Sequence, residues 1–117
     1  MSRNRNIGAK GEDLASSFLQ EQGYILLEKN WRTGHKEIDI ICKQGEDFIF
    51  VRVKTRTSLK QGLPEESIST KKVTAVTEAA QVYLQNKTYR DVRFDVIAVQ
   101  LKGDGNCEIL HIKDAFY

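Results

Sequence analysis

The chain has 117 residues, 40% of them hydrophobic and 29% charged, with a single proline. That is the size of one domain with one core, and the composition excludes a disordered, collagenous or low-complexity chain. A count of 18 basic against 16 acidic residues gives no bulk charge that would by itself mark a nucleic-acid binder.

No apolar run approaches membrane-spanning length, and the polar start Met1-Ser2-Arg3-Asn4-Arg5-Asn6 lacks the apolar stretch of a secretion signal. The expectation is one cytoplasmic domain over residues 1–117, with residues 1–6 flexible and no membrane partner. From Gly8 to Gln22 a helix is expected, with Leu14, Ala15, Phe18 and Leu19 on one apolar stripe and Gly23 as the stop. At about 100° per residue Glu12 falls at the edge of this stripe and Asp13 nearly opposite it. Glu12 either compensates the helix dipole or reaches past the sheet edge into a site, and the sequence leaves both open. Tyr24 to Arg32 reads as a strand ending at a turn on Thr33-Gly34, with Trp31 packed at the sheet end and His35 in the loop.

Glu37 to Lys43 and Phe48 to Lys54 are rich in β-branched and aromatic residues, and Gln44-Gly45-Glu46-Asp47 between them has hairpin-loop chemistry. Alternation places Ile38, Ile40 and Cys42 in one apolar row, and Ile49, Val51 and Val53 in another. If the rows share one buried face, Lys43 lies opposite Phe48, Asp39 opposite Arg52 and Glu37 opposite Lys54. These four charged side chains, Glu37, Asp39, Arg52 and Lys54, then gather at the rim of a face that also carries Ile41 and Phe50, which makes them a candidate site.

Thr55 to Pro64 is a polar loop whose hydroxyls and cations, Arg56 and Lys60 among them, suit either phosphate contacts or plain solvation. A second helix starts near Ser69 or Thr70 and runs to about Asn86, with Val73, Val76, Ala80, Tyr83 and Leu84 on its buried stripe. Lys71 and Lys72 stand at its N-terminus, where the dipole disfavours cations and an anionic partner would relieve them. Arg93 to Val99 reads as an interior strand in which Asp95 needs a partner, and Arg93 is the expected one. After a turn at Gly103-Asp104-Gly105-Asn106, Glu108 to Ile112 forms an edge strand with His111 on its exposed face. Cys42 and Cys107 lack the paired spacing of a zinc site and read as reduced apolar filler. Basic residues cluster as Arg3, Arg5 and Lys10, as Lys54, Arg56 and Lys60, as Lys71 and Lys72, and as Lys87, Arg90 and Arg93. On one face they would track a phosphate backbone, and otherwise each is a solvated surface.

Two acids and a lysine on neighbouring elements are what metal-assisted phosphodiester hydrolysis needs, with Glu12 and Asp39 holding the cation and Lys54 orienting water. By spacing alone, many unrelated hairpins satisfy that pattern. The more specific set is Gly8-x-x-Gly11-Glu12, Asn30-Trp31-Arg32, Glu37-Ile38-Asp39, Phe50-Val51-x-Val53-Lys54-x-Arg56, Gly62 with Pro64, Arg93-Phe94-Asp95-Val96, and His111-Ile112-x-x-Ala115-Phe116. On these residues the chain resembles, almost end to end, the YraN-like family of small bacterial proteins of unassigned function. The resemblance implies an α/β, restriction-endonuclease-like fold similar to archaeal Holliday-junction resolvases: a central mixed sheet flanked by two main helices in the order α-β-β-β-α-β-β. It also implies nuclease roles for Glu12, Asp39 and Lys54, Mg²⁺ or Mn²⁺ as cofactor, and branched or single-stranded DNA as partner. Resolvases of this kind work as dimers, which adds a second copy of the chain to the implied partners, although no apolar patch in the sequence marks a dimer face.

One position departs from that pattern. Where the family reads Val-Glu-Val-Lys, this chain reads Val51-Arg52-Val53-Lys54. A guanidinium there is expected to bond Asp39 and compete with the metal, while Glu37 is the substitute carboxylate beside Asp39 and Glu12. Three readings result. The first is a nucleic-acid-binding protein acting on DNA in repair or recombination, with Arg52, Arg56, Lys60, Lys71 and Lys72 on the phosphates. The second is a metal-dependent endonuclease that uses Glu37. The third is a structural or interaction domain with no nucleic-acid partner.

Overall fold

A computed structural model describes residues 3–57, 70–103 and 105–115. The β-branched and aromatic runs of the sequence form strands and the two runs with helical stripes form helices. In chain order the elements are α1 (Arg3–Glu21), β1 (Ile25–Thr33), β2 (Lys36–Gln44), β3 (Asp47–Arg56), α2 (Thr70–Leu84), β4 (Asp91–Leu101) and β5 (Cys107–Ile112). Lys60, Gly62, Pro64, Ser69, Asp104 and Phe116 lie outside the described residues, as do Met1 and Ser2. α1 begins at Arg3 rather than Gly8, so the part of the expected flexible start that is described, Arg3 to Asn6, is helical. No proline stands there to stop the helix, and a glycine at position 8 weakens a helix without ending it.

The strands form one five-stranded sheet in the order β1-β2-β3-β4-β5. Neighbours are antiparallel except β3 and β4, which run parallel from Asp47↔Asp91 to Arg56↔Gln100. α2 is the crossover between them, as a parallel pair requires. This is the mixed sheet and element order that the resemblance implies.

Each face of the sheet buries its own core. On one side Ala15 and Leu19 of α1 pack on Ile40, Cys42, Ile49, Val51, Ile97 and Val99. On the other, Val76, Ala79, Ala80, Tyr83 and Leu84 of α2 pack on Ile38, Ile41, Phe48 and Phe50. Gly45, with φ of 61°, closes the β2–β3 hairpin in the left-handed region that glycine adopts without strain.

The α1 side contains a fully buried carboxylate. Asp95 receives a two-pronged bond from Arg93, whose Nε and Nη2 each lie 2.9 Å from its two oxygens. His111 Nε2 is 2.7 Å from Oδ2, and the Asp114 amide donates to Oδ1 at 3.2 Å. Arg93 also donates to the Tyr24 hydroxyl at 2.9 Å. Arg93 is thus the partner the sequence suggested. His111 is a correction: its side chain is 9% exposed, wedged edge-on between Phe18 and Tyr24, not on a solvated face. Alternation separates His111 from Leu110 and Ile112 but does not say which row turns inward. Here the inward row carries Cys107, Ile109 and His111, because only that row can reach Asp95.

Lys87, Arg90 and Arg93 each have a partner within the chain. Arg90 is paired with Asp47 at 2.7 Å, Lys87 sits over the Tyr83 ring, and Arg93 serves Asp95.

Burial alone would raise the Asp95 pKa, but the bonds from His111, Arg93 and the Asp114 amide outweigh it and hold the carboxyl below its ordinary range. The stabilisation is therefore present above the unfolded value of about 3.9 and is lost as pH falls through the lower folded value. Asp95→Ala should cost about 3–5 kcal/mol in urea unfolding at neutral pH, because it leaves the Arg93 charge buried and uncompensated. A variant within 1 kcal/mol of wild type would show that the network adds no net stability.

Candidate functional site

The candidate site begins where strand pairing stops. β2 and β3 pair from Gln44↔Asp47 through Lys43↔Phe48 to Ile40↔Val51, in the expected register, and the ladder goes no further. In the β1–β2 ladder, Lys29↔Ile40 and Trp31↔Ile38 are partners, but Asn30 and Asp39 between them are not. Asn30 has φ of 55°, a left-handed backbone that asparagine tolerates better than most residues. Strand alternation breaks at this step. Ile38 belongs to the α2-side core, together with Trp31, whereas Ile40 and Cys42 belong to the α1 side. The expected single row of Ile38, Ile40 and Cys42 is corrected accordingly, since a period of two counted through Asp39 does not register a local kink.

Asp39 fills the gap between the parting strands. Its Oδ2 accepts a hydrogen bond from the Val53 amide at 2.8 Å, so a side chain replaces the carbonyl that a continued ladder would have supplied. The expected bond from Arg52 is not the one made: Arg52 Nε is buried without a hydrogen-bond partner, and its charge acts on Asp39 through space. Arg52 and Val53 project to opposite faces of β3, and Asp39 is committed to the strand edge between them. Glu37 does not sit across a ladder from Lys54 either. Its partner is Arg32 of β1, with Nε and Oε2 3.4 Å apart.

α1 brings Glu12 to this edge. Gly11 faces Thr55 so closely that a Cβ would lie 2.9 Å from Thr55 Cβ and Cγ2 and closer still to Oγ1. Only a glycine permits that approach, and it sets the next residue beside the strand ends. Glu12 is half-buried, and burial raises its pKa. The Asn30 side chain bonds it and pulls the other way, while Asp39 and Glu37 push it up. Asp39 is also raised, first by burial and then by Glu37, against the lowering by the Val53 amide, Arg52 and Lys54. Glu12, Glu37 and Asp39 are therefore close enough to repel one another. Asn30 is a site residue that sequence reasoning missed, although an asparagine amid strand formers was a usable signal.

The structure places the other candidates as follows. Lys54 and Arg56 are half-buried on β3 with Arg52, and Arg56 Nε is likewise buried without a partner. Lys71 and Lys72 open α2. Lys60 lies outside the described residues. Burial pushes the Cys42 thiol up to about 12, in keeping with its reading as filler.

The residues as folded do not fit a divalent cation. Among the described residues no three acidic, histidine or cysteine side chains are placed to hold a metal ion. Asp39 is tied to Val53, Glu37 to Arg32 and Glu12 to Asn30, and the guanidinium of Arg52 on β3 is close enough to act on Asp39.

Two outcomes follow from this geometry. Glu37→Gln should lower the pKa of both Glu12 and Asp39, and Arg52→Gln should raise that of Asp39, in carboxyl-detected NMR titrations; unchanged values would mean that the charges do not interact. Gly11→Ala should destabilise by about 1–3 kcal/mol despite the helix preference for alanine, and Thr55→Ala in the same chain should recover part of that loss. Additive effects of the two substitutions would refute the close approach.

The comparisons with known proteins come down on one family. Residues 11–99 match the model of the uncharacterised protein family UPF0102. A UPF0102 protein of Syntrophus aciditrophicus is 43% identical over 118 residues, covering 99% of this chain and 92% of the relative. One of Syntrophomonas wolfei is 37% identical over 115 residues, covering 97% and 99%. One of Dictyoglomus turgidum is 40% identical over 104 residues, covering 87% and 88%. With the family model matching most of the chain and relatives aligned nearly end to end, the chain belongs to the UPF0102 family.

Proposed function

We propose that this chain is a nucleic-acid-binding protein on a restriction-endonuclease-like scaffold, acting on DNA in repair or recombination, with a nuclease site altered at Arg52. The observation that carries this reading is the fixed cation beside the acids: Arg52 acts electrostatically on Asp39, with Lys54 adding to it from the same strand. A guanidinium in that place neutralises part of the acid charge and presents donors that suit a phosphate. It supplies no open coordination position, so nucleic acid would be held without being cut. Lys71 and Lys72, opening α2, are the further cations that would meet the backbone.

A second reading has one specific support. Glu37 acts on both Glu12 and Asp39, so the missing carboxylate has a neighbour that could replace it in an active Mg²⁺- or Mn²⁺-dependent endonuclease. For that, Glu37 would have to leave Arg32 and Asp39 would have to leave Val53.

Calorimetric titration of Mg²⁺ and Mn²⁺, with cleavage assays on branched and single-stranded DNA and Asp39→Ala as control, separates the readings. The expected result is no metal binding, no cleavage, and DNA binding that weakens as salt rises and is unaffected by a chelator. Metal binding and cleavage that both vanish in Asp39→Ala would replace the first reading with the second. Absence of binding to any nucleic acid even at low salt would leave an interaction domain. Arg52→Glu should create Mg²⁺ or Mn²⁺ binding, and a variant that binds neither would refute the view that Arg52 alone alters the site.

A further inference from the structure

Among the described residues, the buried side-chain nitrogen and oxygen atoms without a hydrogen-bond partner are Arg52 Nε and Arg56 Nε. Both belong to one strand, at positions that project from the same face. An arginine does not shed its proton in a protein, so an Nε–H buried without a partner is an unsatisfied donor on a group that stays charged. Such a donor is unfavourable to the fold unless something brings an acceptor to it, and an anionic one suits the charge best. With Lys54 between them, the two guanidiniums define a row of cations spaced about 7 Å apart along β3.

What lies beside this row narrows the anion. The face is the one on which Phe48 and Phe50 meet α2, with Val92 and Phe94 of β4 packed against the same core. That core takes up the first half of the β3–β4 pair, and the cations lie beyond it. In parallel register Arg52, Lys54 and Arg56 have Val96, Ala98 and Gln100 as neighbours on β4. One strand further, β5 sets Leu110 beside Ala98. Ala98 is half-buried and Leu110 is 53% exposed, so an aliphatic shelf open to solvent adjoins the cation row. The acid in the same stretch of β5, Glu108, is paired with Lys102 at 3.2 Å.

We infer that this half of the sheet face is a binding site for single-stranded nucleic acid, with its phosphates on Arg52 and Arg56 and its bases over Ala98 and Leu110. The inference rests on the nucleic-acid reading above and names the substrate class for it. A duplex turns its base faces inward, so it has a use for the cations but none for the shelf. A free phosphate or a small phosphorylated metabolite would use one guanidinium and leave the other unpartnered. A single strand offers successive phosphates on one side and apolar base faces on the other, which matches both features.

The test is fluorescence anisotropy across a salt series, with labelled oligodeoxythymidylate, oligouridylate and a blunt DNA duplex of the same length. Wild type, the double variant Arg52→Gln with Arg56→Gln, and Leu110→Ser are compared. The double variant should bind single strands at least about tenfold more weakly and lose about 1.4 from the salt slope, two phosphates at about 0.7 each. Its thermal unfolding should remain cooperative, and this guards against loss of fold as the cause. Leu110→Ser should weaken single-strand binding and leave duplex binding alone. Binding of either the DNA or the RNA oligomer supports the site, since both share the phosphates and base faces it uses. If wild type binds single strands but the double variant keeps the full slope, the strand lies elsewhere and the site is refuted while nucleic-acid binding stands. Equal binding of the duplex with no effect of Leu110→Ser overturns the single-strand assignment. No binding by wild type to any oligomer at low salt overturns this inference together with the reading it rests on.

Discussion

The hydrogen bond from the Val53 amide to the Asp39 carboxylate is the constraint on which the candidate site depends. A buried backbone amide must be satisfied, and in a sheet the usual acceptor is the carbonyl of the neighbouring strand. Here β2 kinks at Asp39 and leaves the ladder, and the side chain supplies the acceptor in its stead. β3 can then keep its pairing with β4 as far as Arg56↔Gln100 while being free of β2 beyond Val51. That asymmetry creates the opening. It gives α1 room to approach Thr55 through Gly11, puts Glu12 at the strand edge, and leaves one face of late β3 to its cations.

Two aspartates in one small sheet show how differently the same side chain can be used. Asp95 is surrounded by donors: two from Arg93, one from His111 and one from the backbone of Asp114. Its pKa is lowered despite burial, and it holds β4, β5 and the turn after α1 together through Arg93 and Tyr24. Asp39 has one backbone donor and acidic neighbours, and its pKa is raised. The first arrangement is one of structural cohesion. The second stores electrostatic repulsion that a cation relieves, and perturbed carboxyls of this kind mark functional sites more often than structural ones.

The order of elements, the hairpin register up to Ile40↔Val51 and the Arg93–Asp95 pairing were legible in the sequence, because each follows from a local period or a near neighbour. The kink at Asn30 and Asp39 was not, since counting a period of two assumes that the period holds. The burial of His111 was missed for a different reason. Alternation fixes which residues share a row of β5, but the inward row is chosen by Asp95, 16 positions away. Charge clusters were the least legible of all. Lys87, Arg90 and Arg93 look in the sequence like the cations of β3, yet only the fold reveals that the former are occupied by Tyr83, Asp47 and Asp95.

On the proposed reading, an arginine stands at position 52 where a nuclease would carry a carboxylate, and the two groups do different things to a phosphate. An acid set holds the phosphate indirectly, through a metal that also lowers the pKa of a bound water and thereby makes a nucleophile. A guanidinium holds it directly, with planar donors and a charge that does not depend on metal supply, but it generates no hydroxide. On the proposed reading, Arg52 would keep the recognition half of nuclease chemistry and lose the attack. The acids also have structural partners of their own. Asp39 still closes the amide of Val53, and Glu12 still accepts from Asn30 where α1 meets the sheet. These duties need no metal, and the charge of Arg52 offsets part of the repulsion that Glu37 exerts on Asp39.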